Sequence, residues 1–155
     1  MIPRIGRADQ ISQQITIYLT TYLTTYLTTY LTTLKDRGFS GDLGTSYAER
    51  LSMATDNSIY QLKSQAVVYP RSTSEVQLLA KLAIDKQFQS LTFTPRGGGT
   101  GTNGQALTEG IVVDMSRYMQ KFLQINVAEK WVRVEAGVIK DQLNQFLAPY
   151  GYLFT

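Results

Sequence analysis

The chain has 155 residues, and neither cysteine nor histidine is among them. That length suits one core, while the missing residue types exclude disulfides, a thiolate nucleophile, cysteine-held iron or zinc and the usual neutral-pH base from this stretch. Its 15 Lys and Arg against 12 Asp and Glu give +3, but the charges interleave, as in Lys35-Asp36-Arg37, and form no basic stripe for nucleic acid.

At the amino end, Arg4 and Arg7 are not followed by the apolar stretch of a secretory leader. No apolar run approaches the ~20 residues that span a bilayer, so a soluble cytoplasmic protein is expected. Residues 18–33 are four consecutive copies of Tyr-Leu-Thr-Thr. As a strand, both faces are half apolar. As a helix, the four-residue step turns the Tyr/Leu stripe by about 40° per copy, so the apolar face drifts around the axis. Asp9 or Ser12 suits a helix start, and Lys35, Arg37 and Gly38 have the order of a helix end. The flanks favour a helix over residues 11–35, a poor one because it is rich in threonine. Residues 1–37 are read as a helical extension, with residues 38–155 as the domain proper.

Gly38, Gly41 and Gly44 mark turns, followed by a short helix predicted near residues 46–53. Ala66-Val67-Val68-Tyr69 reads as a strand that Pro70 ends, and Ser72 through Glu75 has capping-box spacing. Val76, Leu79, Ala80, Ala83 and Ile84 then form the apolar face of a helix ending near Lys86. Leu91-Thr92-Phe93-Thr94 is the next strand, and strand–helix–strand order places two parallel strands side by side.

That strand delivers the chain into Arg96, Gly97, Gly98, Gly99, Thr100, Gly101, Thr102 and Asn103. Such a loop turns successive N–H groups toward one anion, with Arg96, Thr100, Thr102 and Asn103 as further donors. It follows neither the G-x-G-x-x-G pattern nor the P-loop, since no lysine follows the glycines. A pyrophosphate held by backbone donors in another fold remains open, as does a plain turn.

Ile111-Val112-Val113 is a further strand with Asp114 at its exit. Residues 122–127 and 131–135 alternate in polarity about Ala128-Glu129-Lys130, the pattern of an antiparallel hairpin. Gly137 separates it from an amphipathic helix carrying Ile139, Leu143, Phe146 and Leu147. Residues 152–155 read as a strand cut short, which suggests the N-terminal part of a longer protein.

The stretches 67–72, 95–103, 114–117 and 132–138 together resemble the FAD-binding domain of the vanillyl-alcohol oxidase and p-cresol methylhydroxylase superfamily. With Thr45-Ser46-Tyr47-Ala48 and Thr55-Asp56-Asn57-Ser58-Ile59-Tyr60 added, the chain is similar to the large bacterial D-2-hydroxyglutarate dehydrogenases that join an FAD domain to an iron–sulfur domain. The match covers residues 38–155, with a weaker start at Met1-Ile2-Pro3-Arg4-Ile5.

The resemblance implies an α+β fold with a small parallel sheet, flanking helices and a β-hairpin. It implies that residues 96–103 wrap the FAD pyrophosphate and that Pro70, Asp114 and Gly137 lie beside the cofactor. Their plain readings are strand termination, a turn or cap, and a tight loop before a helix. Many relatives hold FAD through a histidine beside the glycines, whereas Thr100 stands here, so the implied flavin is non-covalent. The implied parent oxidises a D-2-hydroxy acid and passes electrons to an iron–sulfur cluster outside this stretch or to another acceptor. Two other readings are a non-catalytic nucleotide-binding module and an assembly element driven by the repeats.

Overall fold

The computed structural model describes residues 7–155; the family-like start at residues 1–5 lies outside them. Helix α1 (Arg7–Asp36) contains all four repeats. Strand β1 (Asp42–Gly44) and the short helix α2 (Tyr47–Ser52) follow, then β2 (Ala66–Tyr69), α3 (Thr73–Ala83), β3 (Phe93–Arg96) and β4 (Ile111–Asp114). The hairpin β5 (Phe122–Asn126) and β6 (Trp131–Val134) precedes α4 (Lys140–Leu147). Among the described residues, no helix is long and apolar enough to cross a membrane, and no cluster of His, Cys, Asp or Glu is placed to hold a metal.

The main sheet runs β1-β2-β4-β3, with β2, β4 and β3 parallel and β1 antiparallel at the edge. The side-by-side placement expected of the strands around α3 is therefore corrected, because β4 enters between them. All four residues of β4 are buried, which suits an interior strand. Strand β3 contains Pro95, which cannot donate to a ladder and belongs at an edge. Pairing of Phe93 with Ile111 through Arg96 with Asp114 also moves β3 two residues beyond its expected position.

One face of the sheet, with Ala66, Val68, Ile111 and Val113, packs against Tyr30 and Leu34 of α1, Leu79 and Leu82 of α3, and Phe88. On the other face, Val67, Tyr69 and Val112 meet Met53 and Tyr118. The repeats divide accordingly. Tyr30 is fully buried, edge-on to Phe88 at 5.1 Å, whereas Tyr18 is 70% exposed. Only the last copies lie over the sheet. Thr20, Thr24 and Thr28 turn their hydroxyls back to carbonyls four residues earlier, which satisfies them on a helix that buries little.

The Ser72 hydroxyl caps α3 by accepting from the Glu75 N–H. Glu75 does not complete the box. Its carboxylate accepts from the Arg71 N–H and from both the N–H and hydroxyl of Ser40, each at 2.7 Å. Helix α3 stops at Ala83 rather than Lys86, because Asp85 caps a separate 3-10 turn at Lys86–Phe88. Strand β1 was not foreseen; its brevity leaves no alternation to read. The strand expected at residues 152–155 does not form, and the Asn144 side chain instead accepts from the Phe154 N–H and donates to its carbonyl.

Candidate cofactor-binding site

Three parallel strands end on the same side, so Pro70, Asp114 and Arg96 stand at one edge of the sheet. Open α/β sheets bind ligands at this carboxyl edge. The Met115 N–H donates to the Arg96 carbonyl at 2.8 Å, locking the exits of β3 and β4 together. From there the chain enters the glycine loop, where Gly99 and Gly104 hold φ of +66° and +74°. Those two turns require glycine.

Gly97 and Gly98 have no such requirement. A Cβ on Gly97 meets nothing closer than the Ala136 carbonyl at 3.8 Å; one on Gly98 meets Thr100 Cγ2 at 3.7 Å and Ile139 Cγ2 at 3.8 Å. Internal packing therefore does not explain the absence of side chains at these two positions. Their backbone is bare, as a pyrophosphate approaching N–H groups directly would require. Thr100, Thr102 and Asn103 are exposed, and their side chains have no hydrogen-bond partner among the described residues.

Arg96 is oriented otherwise. Its Nη2 donates to the Thr55 carbonyl at 2.9 Å, and the guanidinium packs so closely on Gly99 that a Cβ there falls 2.2 Å from Nη2. The side chain braces the loop against Thr55 and Gly99. Gln105, which sequence reasoning did not select, also supports the loop. Its Oε1 accepts from the Asn103 N–H at 3.0 Å, and its carboxamide fills the space beside Gly101.

The remaining expected residues have structural partners. Pro70 is buried at the end of β2. Asp114 is buried and accepts from the Ser116 hydroxyl at 2.8 Å and the Arg117 N–H at 3.1 Å, capping the turn after β4. Gly137 donates its N–H to the Met119 carbonyl, and a Cβ there falls 2.0 Å from the Met115 carbonyl oxygen. Its missing side chain is thus a matter of backbone packing. Beyond it, Ile139 precedes α4 without a capping hydroxyl or carboxylate, and its N–H donates to Gln142.

A charged bracket crosses the same edge. Asp42 binds Arg71 at 3.3 Å and Arg117 at 3.2 Å and accepts from the Tyr118 hydroxyl. Arg117 lies 3.5 Å over the Tyr69 ring and Arg71 4.0 Å over Tyr118. The Tyr118 hydroxyl, with the largest effect, and the two guanidinium groups together outweigh burial and hold the Asp42 carboxyl below its ordinary range.

Residues 64–155 match a family model described as an FAD binding domain. The chain belongs to this family of FAD-binding domains. Over its whole length it is 56% identical to a D-2-hydroxyglutarate dehydrogenase of Escherichia coli K12, covering 14% of that relative. A protein of the same name from Haemophilus influenzae is 48% identical over the same 155 residues, again 14% of its length. The FAD-binding chain thus spans about one-seventh of these relatives.

Solved structures agree on architecture. An alkyldihydroxyacetonephosphate synthase superposes with a TM-score of 0.67 at 21% identity, covering 79% of this chain and 25% of the other. A 4-ethylphenol oxidase from Gulosibacter chungangensis gives 0.64 at 18% identity, covering 82% and 25%. The α+β fold of p-cresol methylhydroxylase type, implied by the sequence resemblance, is the fold of this FAD-binding domain.

Proposed function

We propose that this chain supplies the pyrophosphate clamp of a flavin-dependent D-2-hydroxy-acid dehydrogenase acting on D-2-hydroxyglutarate. The carrying observation is the open backbone at Gly97 and Gly98 on the carboxyl edge of the parallel sheet. The names of the two bacterial relatives support the substrate class. Residues 38–155 form the proposed FAD-binding part, and residues 1–37 a proposed N-terminal extension, within which helix α1 (Arg7–Asp36) packs its last turns into the core.

In this reading, amides of residues 97–103 face the two phosphates, with Thr100, Thr102 and Asn103 as side-chain donors. Arg96 and Gln105 keep the loop in shape. Pro70, Asp114 and Gly137 fix the strand ends and loop that border the nucleotide. With no histidine or cysteine in the chain, the proposed attachment is non-covalent, and no residue here is assigned a proton-transfer role. FAD, when bound, would supply the hydride acceptor that turns a 2-hydroxy acid into a 2-oxo acid, with the hydroxyl proton passing to a base outside this stretch. Substrate contacts, an iron–sulfur cluster and the electron acceptor are assigned to other parts of a larger cytoplasmic protein.

Titrating the chain with FAD, with ADP as competitor, tests the clamp. Saturable FAD binding that ADP displaces is expected; a folded chain that binds neither nucleotide overturns the proposal.

A further inference from the structure

Helix α1 does two different things along its length. Tyr26 and Leu27 are the first residues of the repeats to pack on the core, and Tyr30 and Leu34 are buried in it. Nearer its start, Ile11, Ile15, Tyr18, Leu19, Tyr22 and Leu23 are 46–70% exposed. These six side chains lie along about 18 Å of helix that stands clear of the sheet.

Their spacing is ordered. Ile11, Ile15, Tyr18 and Tyr22 follow one another at steps of four, three and four residues, the a/d spacing of a coiled-coil seam, with Leu19 and Leu23 on its flank. Thr25 and Thr29 stand where the seam would continue, because the tetrapeptide step carries the aromatic stripe around the axis toward Tyr26 and Tyr30. Tyr22 stacks on Tyr26 at 6.0 Å, and Tyr26 leans on Phe88 at 5.8 Å, so the outer seam joins the core without a break.

The chemistry of this face selects what covers it. No charged residue lies between Asp9 and Lys35. A helix that rests on a lipid surface carries Lys and Arg along its polar face, whereas threonine and glutamine stand there in α1. An acidic or basic partner finds no opposite charge. A second copy of the same neutral seam meets no like charge and matches itself, as a two-fold interface requires. Covering the exposed parts of these six side chains on both copies removes on the order of 1,000 Å² from water, the lower limit of a specific interface.

We propose that two copies of this chain pair through the outer halves of α1, antiparallel about a two-fold axis. Ile11 then faces the partner's Tyr22, and Ile15 the partner's Tyr18. Antiparallel alignment sets the two sheets at opposite ends of the paired segment, while parallel alignment brings together the segments at Phe88 and Ser90 that flank Tyr26. The inference is independent of FAD binding.

Sedimentation equilibrium of the whole chain tests it. At about 50 μM the mass is roughly twice that of one chain, and it falls to that of one chain on dilution, as suits an interface of this size. Ile15→Ser combined with Tyr18→Ser stays at the mass of one chain throughout, with the circular-dichroism spectrum of a folded domain. Because the chain lacks cysteine, introduced thiols report the register without removing the seam. A mixture of Ile15→Cys and Tyr18→Cys chains, mildly oxidised, gives more disulfide-linked dimer than either variant alone. A parent that remains a monomer, grows past two copies, or associates unchanged in the serine variant overturns the pairing. So does a monomeric parent that sediments with vesicles of phosphatidylcholine and phosphatidylserine, which assigns the face to lipid. Cross-linking within each cysteine variant that exceeds the mixed product overturns the antiparallel alignment.

Discussion

Alanine at position 98 separates a cradle glycine from a packing glycine. Gly98 has no positive φ, and its added Cβ meets nothing closer than 3.7 Å, so Gly98→Ala should fold normally. Reduced freedom of the unfolded chain should stabilise it by about 0.4–1 kcal/mol. At roughly 2–4 °C per kcal/mol for a chain of this size, Tm rises by about 1–4 °C. The new methyl group occupies space needed by the phosphate. Loss of one hydrogen bond to a charged group costs about 1.5–3 kcal/mol, a roughly ten- to 150-fold rise in FAD Kd.

Gly137→Ala should do the opposite. Its Cβ lands 2.0 Å from the Met115 carbonyl oxygen and 2.6 Å from that of Met119, both backbone atoms. Relief requires a main-chain shift, costing about 1–3 kcal/mol and lowering Tm by roughly 2–12 °C. Circular-dichroism melts and FAD titrations of both variants provide the assay. Undiminished FAD affinity in Gly98→Ala, or a Tm loss there matching that of Gly137→Ala, refutes the distinction.

Arg96→Ala should weaken FAD binding by loosening the loop while leaving its salt dependence at the parent's slope, because the guanidinium faces Thr55; a shallower slope in titrations at several ionic strengths would place that charge on phosphate. Burial raises the Glu75 pKa, but the Arg71 N–H and the Ser40 donors outweigh it, leaving a net lowering. Its stabilising contribution is therefore complete above the unfolded value of about 4.3 and disappears as pH falls through the lowered folded value. Glu75→Gln should reduce Tm at neutral pH and make its acid decline shallower; an identical profile of Tm against pH would remove Glu75 from that role. In the repeats, Tyr30→Ala should cost about 3–5 kcal/mol and Tyr18→Ser no more than about 0.5 kcal/mol, as measured by urea unfolding. Equal costs would contradict the burial difference. Light scattering of Tyr18→Ser combined with Tyr22→Ser tests the assembly reading, which an unchanged particle size would sink.

Much of the fold was legible where one residue type has a narrow physical meaning. Val67 and Val68 before Pro70, Ser72 ahead of α3, and the alternation around residues 128–130 specify elements through local geometry. The missing bulk at Gly97 and Gly98, on which the proposed cradle rests, is likewise visible in the sequence. Local sequence did not disclose partners distant along the chain. Ile111 and its neighbours enter between β2 and β3 because their burial on both faces suits an interior position, whereas Pro95 suits an edge. Only three-dimensional packing distinguishes Gly98, open to a ligand, from Gly137, pressed against a carbonyl. It also turns Arg96 toward Thr55. Sequence determined local backbone preferences and where side-chain bulk was absent; tertiary structure decided what occupied each neighbouring space, because contacts between distant segments arise only when the strands are assembled.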